Sequence, residues 1–365
     1  MKIGDREIGP ECEPYVIAEI GVNHDGEVDR ALMLTDAAAD AGADAVKLQF
    51  FETDRLMSRA ARLASYQKAA GETDPIEMLR RLELSLDEMS RVVDRAHARG
   101  VHAIVTVFSV ELVDEAERLD WDAYKTASPD LVHRPLLERL EATGKPMIVS
   151  TGASHAEEVR QTRAWLDEAH DRLAFLQCVS CYPTAPEHAN VRACVKLRDD
   201  VHPCPVGYSD HTTTINAGRN ARMWHACLME KHLTDDRSRA GPDHAASLTP
   251  DAFVQYIGAT RIPSDELDRV GSRGVIDARL WGGFHKALQD CERDVRAVSR
   301  QSIVAVRDLP VGATIHSTDL TFKRPGTGLW ASELERVVGR RVARQIEADT
   351  PIVLEDIAGL AEPVA

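Results

Sequence analysis

Lysine is scarce in this chain. Nine lysines stand against thirty-five arginines, while 59 acidic residues outnumber 44 basic ones and leave a formal net charge of -15 over 365 residues. That balance argues against nucleic acid or an anionic membrane as a partner, because binding phosphates wants a basic face. Long hydrophobic runs are missing too. None approaches the roughly 20 residues that cross a bilayer, and the N-terminus lacks the basic and apolar regions of a signal peptide. Seven cysteines, odd in number and scattered, make no disulfide framework and point to a reducing, cytoplasmic setting. Cys178-Val179-Ser180-Cys181 is a Cys-x-x-Cys, but no second pair stands at zinc spacing. No Gly-x-Gly-x-x-Gly follows the first apolar stretch, so a dinucleotide-binding fold has little support.

What is present is a rhythm. Apolar stretches at 15–21, 45–50, 102–107, 123–127, 146–150, 173–178, 203–206 and 226–229 have the length of strands. Helix patterns run between them, such as 27–41, with Ala31, Leu32, Leu34 and Ala38 apolar and Gly42 as the stop. One excursion, from about 51 to 85, is long. Eight strand–helix repeats over roughly 240 residues fit a closed (β/α)8 TIM barrel better than an open doubly wound sheet. After about 250 the rhythm stops. The expected division is a barrel over 1–262, a charged, Gly-interrupted linker over 263–300, and a small domain of short strands and turns over 301–365.

The strand ends carry the chemistry. Glu19, Lys47, Gln49, Thr106, Lys125, Ser128, Ser150, Ser209, His211, Glu230 and His232 fall at C-terminal ends, which in a barrel share one rim. The scarce lysines at 47, 125 and 231 all stand at strand ends, where a compact ammonium suits an anion. Lys47 and Lys125 with the hydroxyls of Thr106, Ser128, Ser150 and Ser209 supply the donors and positive charge a phosphate needs. His211 and His232, at neighbouring strand ends beside carboxylates, suit a divalent metal with open positions. Imidazole with oxygen ligands favours Mn2+ or Mg2+. Such an ion polarises a carbonyl oxygen, and Glu19 is placed to act on a water. Together these groups point to carbon–carbon bond formation between a phosphorylated carbon nucleophile and an aldehyde.

Several stretches, widely spaced and in fixed order, resemble the N-acetylneuraminate (sialic acid) synthase family. They include Ile17-Ala18-Glu19-Ile20-Gly21-Val22-Asn23-His24, Ala45-Val46-Lys47-Leu48-Gln49, Cys181-Tyr182-Pro183-Thr184, Ser209-Asp210-His211-Thr212, and Glu230-Lys231-His232 through Gly241-Pro242-Asp243. The tail, with Lys323-Arg324-Pro325-Gly326, is similar to the antifreeze-like (SAF, β-clip type) domain that closes these enzymes. The resemblance implies condensation of phosphoenolpyruvate with an open-chain N-acetylated amino sugar, N-acetylmannosamine or a relative, giving a nonulosonic acid and phosphate. It implies catalytic roles for Glu19, Glu230, His211 and His232, the two histidines being the Mn2+ or Mg2+ ligands. Lys47, Thr106, Lys125, Ser128, Ser150, Ser180 and Ser209 would hold phosphoenolpyruvate. Gln49, Asp130, Tyr182, Asp243 and Arg324 would position the sugar, with Arg324 donated by the partner in a domain-swapped homodimer.

The chain also departs from the family pattern. Val179-Ser180 replace a usual Thr-Asn, Asp130 a glutamate and Val107 a proline, and Ala69-Ala70 stand where an asparagine is common. These differences leave the acceptor open. A diacetamido-hexose acceptor would make the chain a legionaminic or pseudaminic acid synthase, and a pocket without turnover would make it a sugar-binding homologue.

Overall fold

Each long apolar stretch changes character along its length, apolar at its start and polar at its end, and this gradient organises the molecule. The computed structural model describes residues 1–263, 267 and 277–360. Eight parallel strands close into one barrel: β1 Tyr15–Glu19, β2 Ala45–Phe50, β3 His102–Val107, β4 Ala123–Thr126, β5 Met147–Ser150, β6 Leu173–Cys178, β7 Val206–Asp210 and β8 Leu228–His232. Neighbours in sequence are neighbours in space, and β8 closes on β1 with His232 opposite Glu19.

Side chains alternate between the two faces of each strand. Outward residues such as Val16, Val46, Val105, Val149 and Phe175 pack against the surrounding helices in the larger core. Inward residues Tyr15, Ile17, Ala45, Ile104, Ala123, Ile148, Ala174, Leu176 and Leu228 fill the lower barrel, with Ile3 and Ile8 from an N-terminal hairpin packed against them. Higher up the same inward face, the positions are Glu19, Lys47, Thr106, Lys125, Ser150, Ser209 and Glu230, all buried. The polar site is thus the top layer of the barrel interior.

Three expectations shift. The seventh strand is Val206–Asp210 rather than 203–206. Its polar residues tolerate burial because each has a partner: Ser209 Oγ donates to Glu230 Oε1 at 2.9 Å, and Asp210 pairs with Lys231 at 3.1 Å. The rhythm does not stop at 250, since the helix Pro250–Thr260 packs Phe253, Tyr256 and Ile257 into the outer core as the eighth helix. Lys231 does not reach an anion site. The period of two that turns Glu230 and His232 inward turns Lys231 outward, to Asp210 and the Thr212 carbonyl.

The C-terminal domain has its own small core around Ile303, Leu309, Ile315, Val342 and Ile352, with strands β9 Ser302–Ala305 and β10 Leu320–Lys323 paired antiparallel. It sits on the barrel rim. Arg324 pairs with Met57 in a parallel bridge, its N–H donating to Leu56 O at 2.8 Å and its carbonyl accepting from Ser58 N–H at 3.0 Å. The expected linker includes residues 264–266 and 268–276, and the expected last domain includes 361–365; these lie outside the described residues. From 277 onward the connecting segment is fastened to the barrel wall, with the carbonyls of Leu280 and Trp281 accepting from the N–H groups of Val191 and Arg192.

Candidate active site

The rim cavity is lined by every residue singled out from the sequence except Asp130 and Lys231. Two buried ion pairs form its floor. Lys47 pairs with Glu19 and donates to Thr106 Oγ1 at 3.1 Å. Lys125 lies 3.3 Å from Glu230 and donates to Ser150 Oγ at 2.8 Å. Burial pushes Glu19 up to about 7, against the pull of Lys47. For Glu230, burial acts upward but Lys125 and Lys47 outweigh it and hold the carboxyl down to about 2. Two carboxylates in one cavity are therefore driven apart, one toward neutral pH and one firmly ionised, which is the arrangement acid–base chemistry requires.

Beside the Lys125 pair lies a cradle of hydroxyls and backbone donors. Gly152 N–H donates to Ser128 Oγ at 3.0 Å, and Ser180 Oγ is buried without a partner. A side chain at Gly152 would collide with Ser180 Oγ and stand 2.7 Å from Ser128 Oγ, so glycine is what lets the three approach. An orphaned buried hydroxyl is costly unless a ligand satisfies it. Hydroxyls, a backbone turn and an ammonium converging on one space suit a phosphate.

On the other side stand the imidazoles. His211 Nδ1 lies 2.7 Å from Val179 O, and since a carbonyl only accepts, that nitrogen carries a hydrogen and Nε2 is the nitrogen left for the cavity. His232 Nδ1 is buried with no partner, 3.8 Å from an Asp243 oxygen, and the two rings are 5.6 Å apart. Burial, then His211, holds His232 well below the usual imidazole range, so it is a neutral donor. No set of three His, Cys, Asp or Glu side chains that could hold a metal occurs among the described residues. His211 and His232 are the residues that would hold a divalent ion, leaving most of its positions to water and substrate oxygens.

The outer cavity is half aromatic and apolar. Tyr182 stacks on His211 at 4.0 Å and on Tyr66 at 4.9 Å between ring centroids. Gln49 Nε2 donates to Gly21 O at 2.8 Å, and burial pushes Asp243 up to about 6. Arg324 lies over the Phe108 ring at 5.2 Å, with its Nε buried and unpaired. In this single chain the guanidinium enters its own barrel, where the resemblance implied a partner's. Asp130 is fully buried behind the lining and accepts from Gln301 Nε2 at 3.1 Å, so it faces the tail and not the cavity. Leu56, Met78, Leu79 and Leu82 complete an apolar wall.

Sequence reasoning missed Tyr66 and Gln67, which line the cavity, and Glu292, whose carboxylate is buried beside the cradle. For the first two a signal existed: a barrel connection of some thirty residues without a strand is usually functional. For Glu292 there was none.

With this geometry in place, the chain's relatives can be compared. Residues 34–269 match the NeuB family and residues 300–358 the SAF domain. The chain belongs to the NeuB family and carries a C-terminal SAF domain. It is 34% identical to the N,N'-diacetyllegionaminic acid synthase of Legionella pneumophila, over 97% of each chain. Among solved structures, the Bacillus subtilis spore coat polysaccharide biosynthesis protein SpsE superposes with a TM-score of 0.81 at 28% identity, covering 98% of both chains. The N-acetylneuraminic acid synthetase of Leptospira borgpetersenii superposes with a TM-score of 0.65 at 25% identity, covering 81% of this chain and 94% of that one.

Proposed function

We propose that this protein condenses phosphoenolpyruvate with an open-chain N-acetylated amino sugar and water, giving a nonulosonic acid and phosphate. The observation that carries the reading is the division of one cavity into a cationic hydroxyl cradle, a pair of imidazoles and an outer chamber. The family membership and the synthase names of its relatives agree with it.

The residues divide the work. Lys125, Ser128, Ser150 and Ser180 bind the phosphate, with the Gly152 N–H holding Ser128 in place, and Lys47 with Thr106 steadies the rest of the enol ester. Tyr182, Gln49, Asp243 and Arg324 orient the sugar so that its aldehyde carbon faces C3 of the nucleophile, while the wall of Leu56, Met78, Leu79 and Leu82 offers an acetamido methyl an apolar seat. A Mn2+ or Mg2+ ion on His211 and His232 would polarise the aldehyde oxygen. As the C3–C1 bond forms, positive charge develops at C2, beside the carboxylates of Glu19 and Glu230. Water then adds at C2 and Glu19 takes its proton, which goes on to the new alkoxide at sugar C1. The C2–O bond to phosphate then breaks, the C2 hydroxyl's proton leaves with the phosphate, and the keto group remains.

Two copies exchange their tails in this reading, as the resemblance implies. The tail meets the rim through the Met57–Arg324 bridge and the Gln301–Asp130 hydrogen bond, and in this reading a partner's tail supplies them.

The test is phosphate release from phosphoenolpyruvate against a panel of N-acetyl and diacetamido hexoses in Mn2+. Release that depends on one class of sugar supports the reading and identifies the acceptor. Binding of a sugar with release from none makes the protein a sugar-binding homologue instead.

A further inference from the structure

The connecting segment 289–301 does more than join two domains. It touches loops after five successive barrel strands. Asp294 accepts from Ser65 N–H at 2.5 Å, Gln301 donates to Phe108 O at 2.7 Å and to Asp130 at 3.1 Å, and Arg296 donates to Ala153 O at 2.7 Å. At its centre is Glu292, fully buried. One oxygen of Glu292 accepts from both Ala153 N–H at 2.6 Å and Ser180 N–H at 2.7 Å, and the other from Gln289 N–H at 2.9 Å. Ala153 follows Gly152, whose N–H holds Ser128, and Ser180 carries the unpartnered hydroxyl of the cradle. A single carboxylate oxygen therefore ties together the two loops, from β5 and β6, whose donors converge on the phosphate space.

We infer that Glu292 is a positioning residue for the phosphate cradle, so that anion binding and docking of the connecting segment are energetically linked. The inference rests on the cradle being an anion site. Without Glu292 two buried N–H groups lose their acceptor and the β5 and β6 loops are free to separate. Of the sugar chamber, Gln49 and Asp243 lie on other segments and do not depend on this bond, while Tyr182 follows Ser180 by two on the β6 loop and feels it only indirectly. Linkage is reciprocal: whatever docking contributes to phosphate affinity, phosphate must return to docking.

The experiment uses the full chain with inorganic phosphate as probe, followed by calorimetry and steady-state kinetics. Glu292→Ala should weaken phosphate binding and raise the KM for phosphoenolpyruvate by about tenfold or more, with a clearly smaller rise in the KM for sugar. Glu292→Gln keeps an oxygen for Ala153 and Ser180, and should recover most of the loss. In the wild type, phosphate should slow tryptic cleavage at the exposed Arg293, a measurement that needs no variant to fold. Wild-type phosphate affinity in Glu292→Ala, an equal rise in both KM values, a Gln variant as poor as Ala, or cleavage indifferent to bound phosphate would each overturn the inference alone. A wild-type chain that binds no phosphate removes the anion-site reading, and the inference with it.

Discussion

Lys125 and Glu230 meet across the barrel: the ammonium lies 3.3 Å from the carboxylate, although β4 and β8 stand on opposite sides of the ring. Each is almost wholly buried, and each has a hydroxyl from a neighbouring strand, Ser150 for the lysine and Ser209 for the glutamate. A pair this deep contributes little as a simple attraction, because desolvation cancels much of it, but removal of one partner strands the other.

Lys125→Met should therefore destabilise the fold by about 3 kcal/mol, within the range for a broken buried pair. It should also raise the KM for phosphoenolpyruvate by on the order of a hundredfold, the cost of truncating one side of a charge-assisted contact. Thermal unfolding and steady-state kinetics on one preparation separate the two effects. A wild-type KM for phosphoenolpyruvate in a folded variant removes Lys125 from the anion site.

Metal removal is the second test. His232 Nδ1 is buried and unpartnered, and His211 Nε2 is freed by the Val179 carbonyl. A chelator should abolish turnover and Mn2+ should restore it, while His232→Ala should stay inactive at any metal concentration. Mn2+ binding followed by electron paramagnetic resonance should be lost in that variant. Full activity in chelator would exclude the ion.

The docking of the connecting segment should depend on pH in one direction. At Glu158, burial acts upward, but hydrogen bonds from Arg296 and Arg300 outweigh it and hold the carboxyl down to about 2 from 4.5. Because the folded value is depressed, the stabilisation is present above about pH 4.5 and is lost as pH falls toward 2. The shift corresponds to about 3 kcal/mol. Glu158→Gln should lose that much at pH 7 and show a flatter stability profile between pH 5 and 2, as measured by urea unfolding. Identical profiles for variant and wild type would mean that the arginines do not anchor the segment.

How far the site could be read in the sequence depended on which physical rule placed each residue. Glu19, Lys47, Thr106, Lys125, Ser150, Ser209 and Glu230 were legible because the period of two and the direction of parallel strands put them on one inner rim. Lys231 was misplaced by ignoring that same period. Asp130 follows the rim residue Ser128 by two, but a short 3-10 turn directs it toward Gln301. Tyr66 and Glu292 lie on segments with no periodicity, and they enter the site only because those segments dock on the rim. That is a tertiary event which no local pattern records.

The last prediction concerns whose tail closes whose barrel. The C-terminal domain carries Arg324 into the cavity, over Phe108, and meets the rim at Met57. With exchanged tails, a dimer of His211→Ala with Arg324→Ala chains holds one site with both lesions and one with neither. Random subunit exchange makes half of all dimers mixed, so activity should return to about a quarter of wild type, a gain from combined sites with no change in affinity. Each variant alone should be nearly inactive, because one lacks a metal ligand and the other the guanidinium that orients the sugar. Exchange is monitored independently with differently tagged chains. If tagged chains exchange and activity stays at the level of the single variants, each tail serves its own barrel, as in the single chain described above. Recovery would show that the guanidinium is supplied in trans.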